Sequence, residues 1–194
     1  MDSRSREGRH AVAFGHAMES WRVSAEVERL DEQLRRALEG EAWHGPSVLE
    51  LLAGLTAAQA ASHPIPGAHS VWELVLHLTS DYLLVLRRMA GDGRPLAADE
   101  GWPECPSPTE DNWRYAVLEL ERMGQKLRQA IRVFPDERLD ERLVSEVHYT
   151  AYTQFIGVTQ HQRYHAGQIA LLKRALTTGD FERSRKGGPG RTAV

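Results

Sequence analysis

Gly157-Val-Thr-Gln-His161-Gln-Arg-Tyr-His165-Ala-Gly-Gln168-Ile-Ala-Leu-Leu-Lys-Arg-Ala-Leu176 is the stretch on which the fold and the chemistry both turn. Residues four apart stack one above the other on a helix. At about 100° per residue, Val158, His161, His165, Ile169, Leu172 and Leu176 gather within an arc of roughly 80°. Gln162, Arg163, Lys173 and Arg174 are expected on the other side. An apolar helical face therefore carries two imidazoles inward, where an unsatisfied polar group is costly. A divalent cation would satisfy both.

Working outward, the apolar periodicity predicts three more long helices. Val27, Leu30, Leu34 and Leu38 mark one from about Ser24 to Leu38. Ser70-Val-Trp-Glu73 reads as a capping box that starts a second, ending near Met89 before Gly91-Asp-Gly93. Its inward stripe is Val71, Leu74, Val75, Leu78, Tyr82, Val85 and Met89. Ser107-Pro-Thr-Glu110 reads as cap, N1 proline and N3 glutamate of a third, which Pro135 ends near Val133. Short helices are expected around Val48–Leu52 and after Thr56. No strand alternation stands out, although residues 147–153 read either as strand-like or as the lead-in to the last helix. The expectation is an all-α protein, a four-helix bundle with long connections. Loops of some 20 residues exceed the usual length and are expected to cover a functional end.

Bulk properties narrow the function. The 194 residues suit one domain, and a net charge of −3 gives no general attraction to nucleic acid or acidic membranes. Residues 1–22 read as an N-terminal extension, 23–178 as the domain, and 179–194 as a flexible basic tail. Cys105 is the lone cysteine, so no internal disulfide framework exists, and a reducing cytoplasm is the expected location. No apolar run approaches the length of a membrane span. Sequence gives no sign of an activated thiol at Cys105. Nucleophile elbow, phosphate loop and dinucleotide fingerprint are all absent. Gln162 replaces the glutamate that would follow the first histidine of a zinc protease. Trp21, Trp43, Trp72, Trp102 and Trp113 read as packing residues.

Two histidines do not complete a metal site. His77, in the middle of the second long helix beside Leu74 and Leu78, is the third candidate. Three neutral imidazoles from facing helices would leave a coordination position open, as catalytic sites do. Zinc is the default, with nickel, iron or manganese as alternatives. Asp81, four residues after His77, could join the ligands or orient an imidazole. Gln168, on the same side as His165, is a candidate contact to a ligand or a plain packing residue. Asp81 and Gln168 are therefore the weak catalytic candidates. His63, His69 and His148 fall in loops.

Ser70-Val-Trp-Glu-Leu-Val-Leu-His77, followed by His161-Gln-Arg-Tyr-His165-Ala-Gly-Gln-Ile, resembles the DinB/YfiT-like metalloprotein superfamily. Trp43-His-Gly-Pro-Ser47, Leu55-Thr56 and Pro64-Ile-Pro-Gly67 add to the likeness. The resemblance spans about Ser24 to Leu176. It implies a four-helix bundle with up-down-down-up connections and a metal on His77, His161 and His165. It also implies thiol-dependent transfer or isomerisation with a low-molecular-weight thiol such as bacillithiol or mycothiol, or metal-dependent hydrolysis, on a small-molecule substrate. Pairing of bundle faces into a homodimer is implied too; nucleic acid and membrane partners are not. The alternative is a non-catalytic metal-binding helical module.

Overall fold

The computed structural model describes residues 26–186, with side chains to Thr177; residues 1–25, which include the expected extension, and 187–194, which end the expected tail, lie outside the described residues. The protein is all-helical. The helices are α1 (residues 26–38), α2 (Val48–Leu52), α3 (Ala57–Ala61), α4 (Val71–Met89), α5 (Ala98–Gly101), α6 (Glu110–Arg132) and α7 (Ala151–Lys186), with a 3₁₀ turn at Asp136–Arg138. No strand occurs among the described residues; an isolated antiparallel bridge pairs Arg142 with Thr150. Residues 147–150 thus lead into α7, which continues to Lys186.

Local chemistry sets the starts. The Ser70 hydroxyl accepts from Glu73 N at 3.2 Å, while the Glu73 carboxylate accepts from Ser70 N at 2.6 Å. Such a cap is worth about 1 kcal/mol. Ser47 and Thr56 make equivalent boxes for α2 and α3. At α6 the expected cap moves by two residues: Thr109, not Ser107, accepts from Asn112 N. Glu110 explains the shift, because its carboxylate accepts from Ala57 N at 2.9 Å. It satisfies a free N–H at the start of α3 instead of its own helix.

Helix α4 packs against both α6 and α7, and every residue of its expected stripe is buried except Met89, which is partly so. Gly124 lets α6 approach closely: a Cβ there would lie 2.5 Å from Leu38 Cδ2 and 3.1 Å from Tyr82 Cε2. Arg128 of α6 joins α1 through a paired contact to Asp31, at 2.7 and 3.3 Å, and reaches Glu39 at 2.5 Å. Burial works against its charge, but the two carboxylates prevail and raise its pKa.

Two residues of α7 differ from expectation. Gln162 is fully buried. On a 100° wheel it sits only about 20° beyond Ile169, so its place is in the core face, and the reading that put it opposite was wrong. Lys173 is likewise not on the outer face alone: its ammonium donates to Leu51 O and Ala53 O, both at 2.8 Å, closing the C-terminus of α2.

Candidate metal centre

His77 comes from the middle of α4, and His161 and His165 from one face of α7. Their ring nitrogens converge. His161 Nε2 lies 3.0 Å from His77 Nε2 and 3.0 Å from His165 Nε2. The three form a group whose ligand atoms all lie within 4.8 Å of one another. The His165 residue is 4% exposed, and the His77 and His161 side chains are 12% and 40% exposed. The site thus runs from a buried floor to an accessible rim at His161.

Partners on the opposite ring edges set the tautomers. His77 Nδ1 donates to Gly101 O at 2.7 Å, and His165 Nδ1 donates to Gln168 Oε1 at 2.7 Å. A carbonyl oxygen only accepts, so in the neutral rings both Nε2 atoms carry lone pairs toward His161. His161 Nε2 has at most one proton and cannot satisfy both. Without a cation, lone pair faces lone pair. Zinc–nitrogen bonds of about 2.0–2.1 Å would place tetrahedral ligand atoms about 3.3 Å apart. The observed spacing is close to that, and the donor set is one that suits zinc and its neighbours. Burial lowers the pKa of His165, which keeps it neutral and able to bind a metal. The residues present fit a divalent cation.

Asp81, one turn after His77, also reaches the cluster. Its Oδ2 is 2.9 Å from His161 Nε2 and 3.3 Å from His77 Nε2. Gln168 holds the far edge of His165, which is the orienting role that carbonyl and carboxylate groups play behind metal-ligating histidines. The other residues singled out in sequence do different things. Glu73 is occupied by the Ser70 cap and by His63 Nε2 at 3.0 Å. His148 and Tyr164 are exposed. The Cys105 thiol is pushed up to about 11 by burial and by the Glu73 charge, so it is a poor nucleophile.

Sequence reasoning missed the second layer. The long connection after α4 folds back over the site: α5 ends at Gly101, whose carbonyl holds His77, and Trp102 follows. The indole lies flat on His77, ring centroids 3.9 Å apart, and on its other side meets His69 at 3.8 Å. Trp102 is thus a wall of the centre and not generic packing. Trp72 and Trp113 do pack in the core, whereas Trp43 is fully exposed and Trp21 lies outside the described residues. A backbone carbonyl leaves no mark in a sequence; a tryptophan within a long proline-rich loop was the available signal.

A cavity of about 380 Å³ opens beside the cluster between α4 and α7. Asp81 and His161 form one end of it, and Arg88, Tyr149, Gln154 and Gly157 lie along its wall. Its size suits a small molecule.

The sequence profile of the DinB superfamily matches residues 42–169, which take in α2 through about the first half of α7 and all three clustered histidines. No curated protein and no solved structure matches the chain. With an all-helical fold and a histidine cluster that could bind a metal ion, the chain belongs to the DinB superfamily.

Proposed function

We propose that this protein is a metal-dependent enzyme acting on a small molecule, by thiol-dependent transfer or by hydrolysis, at a site formed by His77, His161 and His165. The observation that carries the reading is the convergence of three Nε2 atoms, two of them with their opposite nitrogens anchored, beside a cavity open to a ligand. A divalent metal, zinc by default, would supply Lewis acidity and bring the pKa of a thiol or water toward neutrality. The protein's own groups do the rest. Gly101 O and Gln168 Oε1 fix the imidazole planes. Trp102 covers one face of His77 and limits water there. Asp81 Oδ2, at the boundary between the cluster and the cavity, is placed to accept the proton that the nucleophile gives up.

A second reading has its own support. Asp81 Oδ2 lies close enough to His161 Nε2 to serve as a fourth protein donor, and a closed set of four would favour a metal-binding module without catalysis. One experiment separates the two. Metal-loaded protein is assayed with low-molecular-weight thiols plus electrophiles, and separately with ester and amide substrates. Metal-dependent consumption of thiol or substrate that disappears in Asp81→Asn supports the enzyme. Inert protein with a full metal complement across both panels supports the module.

A further inference from the structure

The cavity beside the histidines contains a cation that the reading above does not use. Arg88 lies on the same helix as His77 and Asp81, seven residues or about 10 Å of helix beyond Asp81. Arg88 is among the residues that line the cavity. Among the described residues it has no carboxylate partner. Its one described side-chain bond is Nη1 to Gln154 Oε1 at 3.0 Å, a neutral acceptor. Its Nε is buried with no acceptor among the described residues, and so is the amide nitrogen of Gln154. Desolvation pulls the pKa of Arg88 down, the mark of a cation short of compensating charge. Two adjacent side chains on one wall are thus short of acceptors, in a molecule where Arg35, Arg87, Arg94, Arg122 and Arg128 all have carboxylates.

The opposite end of the cavity holds Asp81, the only carboxylate among the described lining residues. Asp81 faces the histidines, and its charge only offsets that of Arg88. A divalent cation held by neutral imidazoles would leave the cavity lined by net positive charge. Between the two ends the wall is apolar, with Leu84, Val85 and Val158. Gly157 keeps that middle open: it sits inside α7, yet an added Cβ would meet nothing within 4 Å. Packing does not require a glycine there, and glycine inside a helix costs about 0.5–1 kcal/mol relative to alanine.

We propose that Arg88 and Gln154 form a carboxylate-binding subsite, so that the ligand of this cavity is a small molecule with a carboxylate at one end, a short apolar middle, and its reacting group toward His161 and Asp81. A carboxylate accepts only, with two oxygens, and would suit the guanidinium and the amide once these buried donors turn toward the cavity. The inference rests on the metal-site reading for what happens at the far end, but not for the subsite itself.

The test therefore uses full-length protein stripped of metal by chelator, so that no metal can bind the probe. Pentanoate is titrated by calorimetry into wild type, Arg88→Gln and Arg88→Lys, with pentanamide as the uncharged control. Circular dichroism and thermal melting verify that each variant is folded. Wild type is expected to bind pentanoate and not pentanamide, Arg88→Gln to bind at least about tenfold more weakly, the scale of a lost charge-assisted hydrogen bond, and Arg88→Lys to fall between them. Equal binding by folded Arg88→Gln, equal binding of pentanamide, or no binding by wild type overturns the subsite. Metal uptake by Arg88→Gln is measured alongside. Normal uptake with lost pentanoate binding supports the subsite alone, whereas a wild type that binds pentanoate but takes up no metal removes the metal reading and leaves the subsite standing.

Discussion

Replacing Gln168 with leucine isolates the support behind one histidine. The side chain keeps its approximate size but loses the Oε1 that accepts from His165 Nδ1 at 2.7 Å. His165 is 4% exposed, so solvent cannot readily replace that acceptor. The ring is then free to rotate or to change tautomer, and either movement takes the Nε2 lone pair off the cluster. Loss of such a supporting bond typically costs about 10–100-fold in metal affinity, or about 1.4–2.8 kcal/mol at 1.4 kcal/mol per tenfold. The metal-free protein should also lose about 1–3 kcal/mol, the cost of a buried donor left without a partner. Zinc affinity is measured by competition with a chromophoric chelator, and metal-free stability by urea denaturation. Gln168→Glu is the control, because a carboxylate keeps an acceptor in place and should retain most of the affinity. Wild-type affinity in Gln168→Leu would refute this account of His165. So would equal loss in Gln168→Leu and Gln168→Glu, since the acceptor would then not matter.

Other perturbations test other parts of the structure. Gly124→Ala should destabilise by about 1–3 kcal/mol in urea, because its Cβ would press on Leu38 and Tyr82. Gly157→Ala should do the opposite and raise the melting temperature, with a gain of about 0.5–1 kcal/mol, while weakening any ligand that fills the cavity. Arg128→Met leaves Asp31 buried and should cost about 3–5 kcal/mol, toward the lower end because Arg132 Nε is 3.4 Å away from Asp31. Alkylation of Cys105 by iodoacetamide at pH 8 should run about ten- to a hundredfold slower than for a free thiol of ordinary pKa. Its rate should keep rising with pH toward about 11, and a plateau near pH 9 would contradict the burial of that thiol.

The long helices were legible because their signals are local. The Ser70 box, the stripe on α4 and the spacing of His161 and His165 all depend on residues within a few turns. His77 could be joined to that pair because it sits at the edge of an apolar stripe, where a facing helix is to be expected. The parts that were not legible depend on the path of the loops. Gly101 contributes a carbonyl, which any residue has, and α5 is too short for periodicity to reveal. Glu110 looked like half of its own cap, yet it bonds Ala57 of a distant helix. Arg88, beside Arg87 in the last turn of α4, reads in sequence as a favourable charge at a helix C-terminus, so nothing there pointed to a cavity. Gln162 was legible and was misplaced: its wheel angle puts it among the core residues.

The most direct test of the three-histidine centre is metal analysis of untagged full-length protein, purified without metal-chelating resin, for wild type, His77→Ala, His161→Ala and His165→Ala. Wild type should carry or take up one divalent ion per chain, and each variant, shown to be folded by circular dichroism, should lose it. Stoichiometric metal that survives replacement of any of the three, or a wild type that takes up none when titrated with zinc, would contradict the assignment.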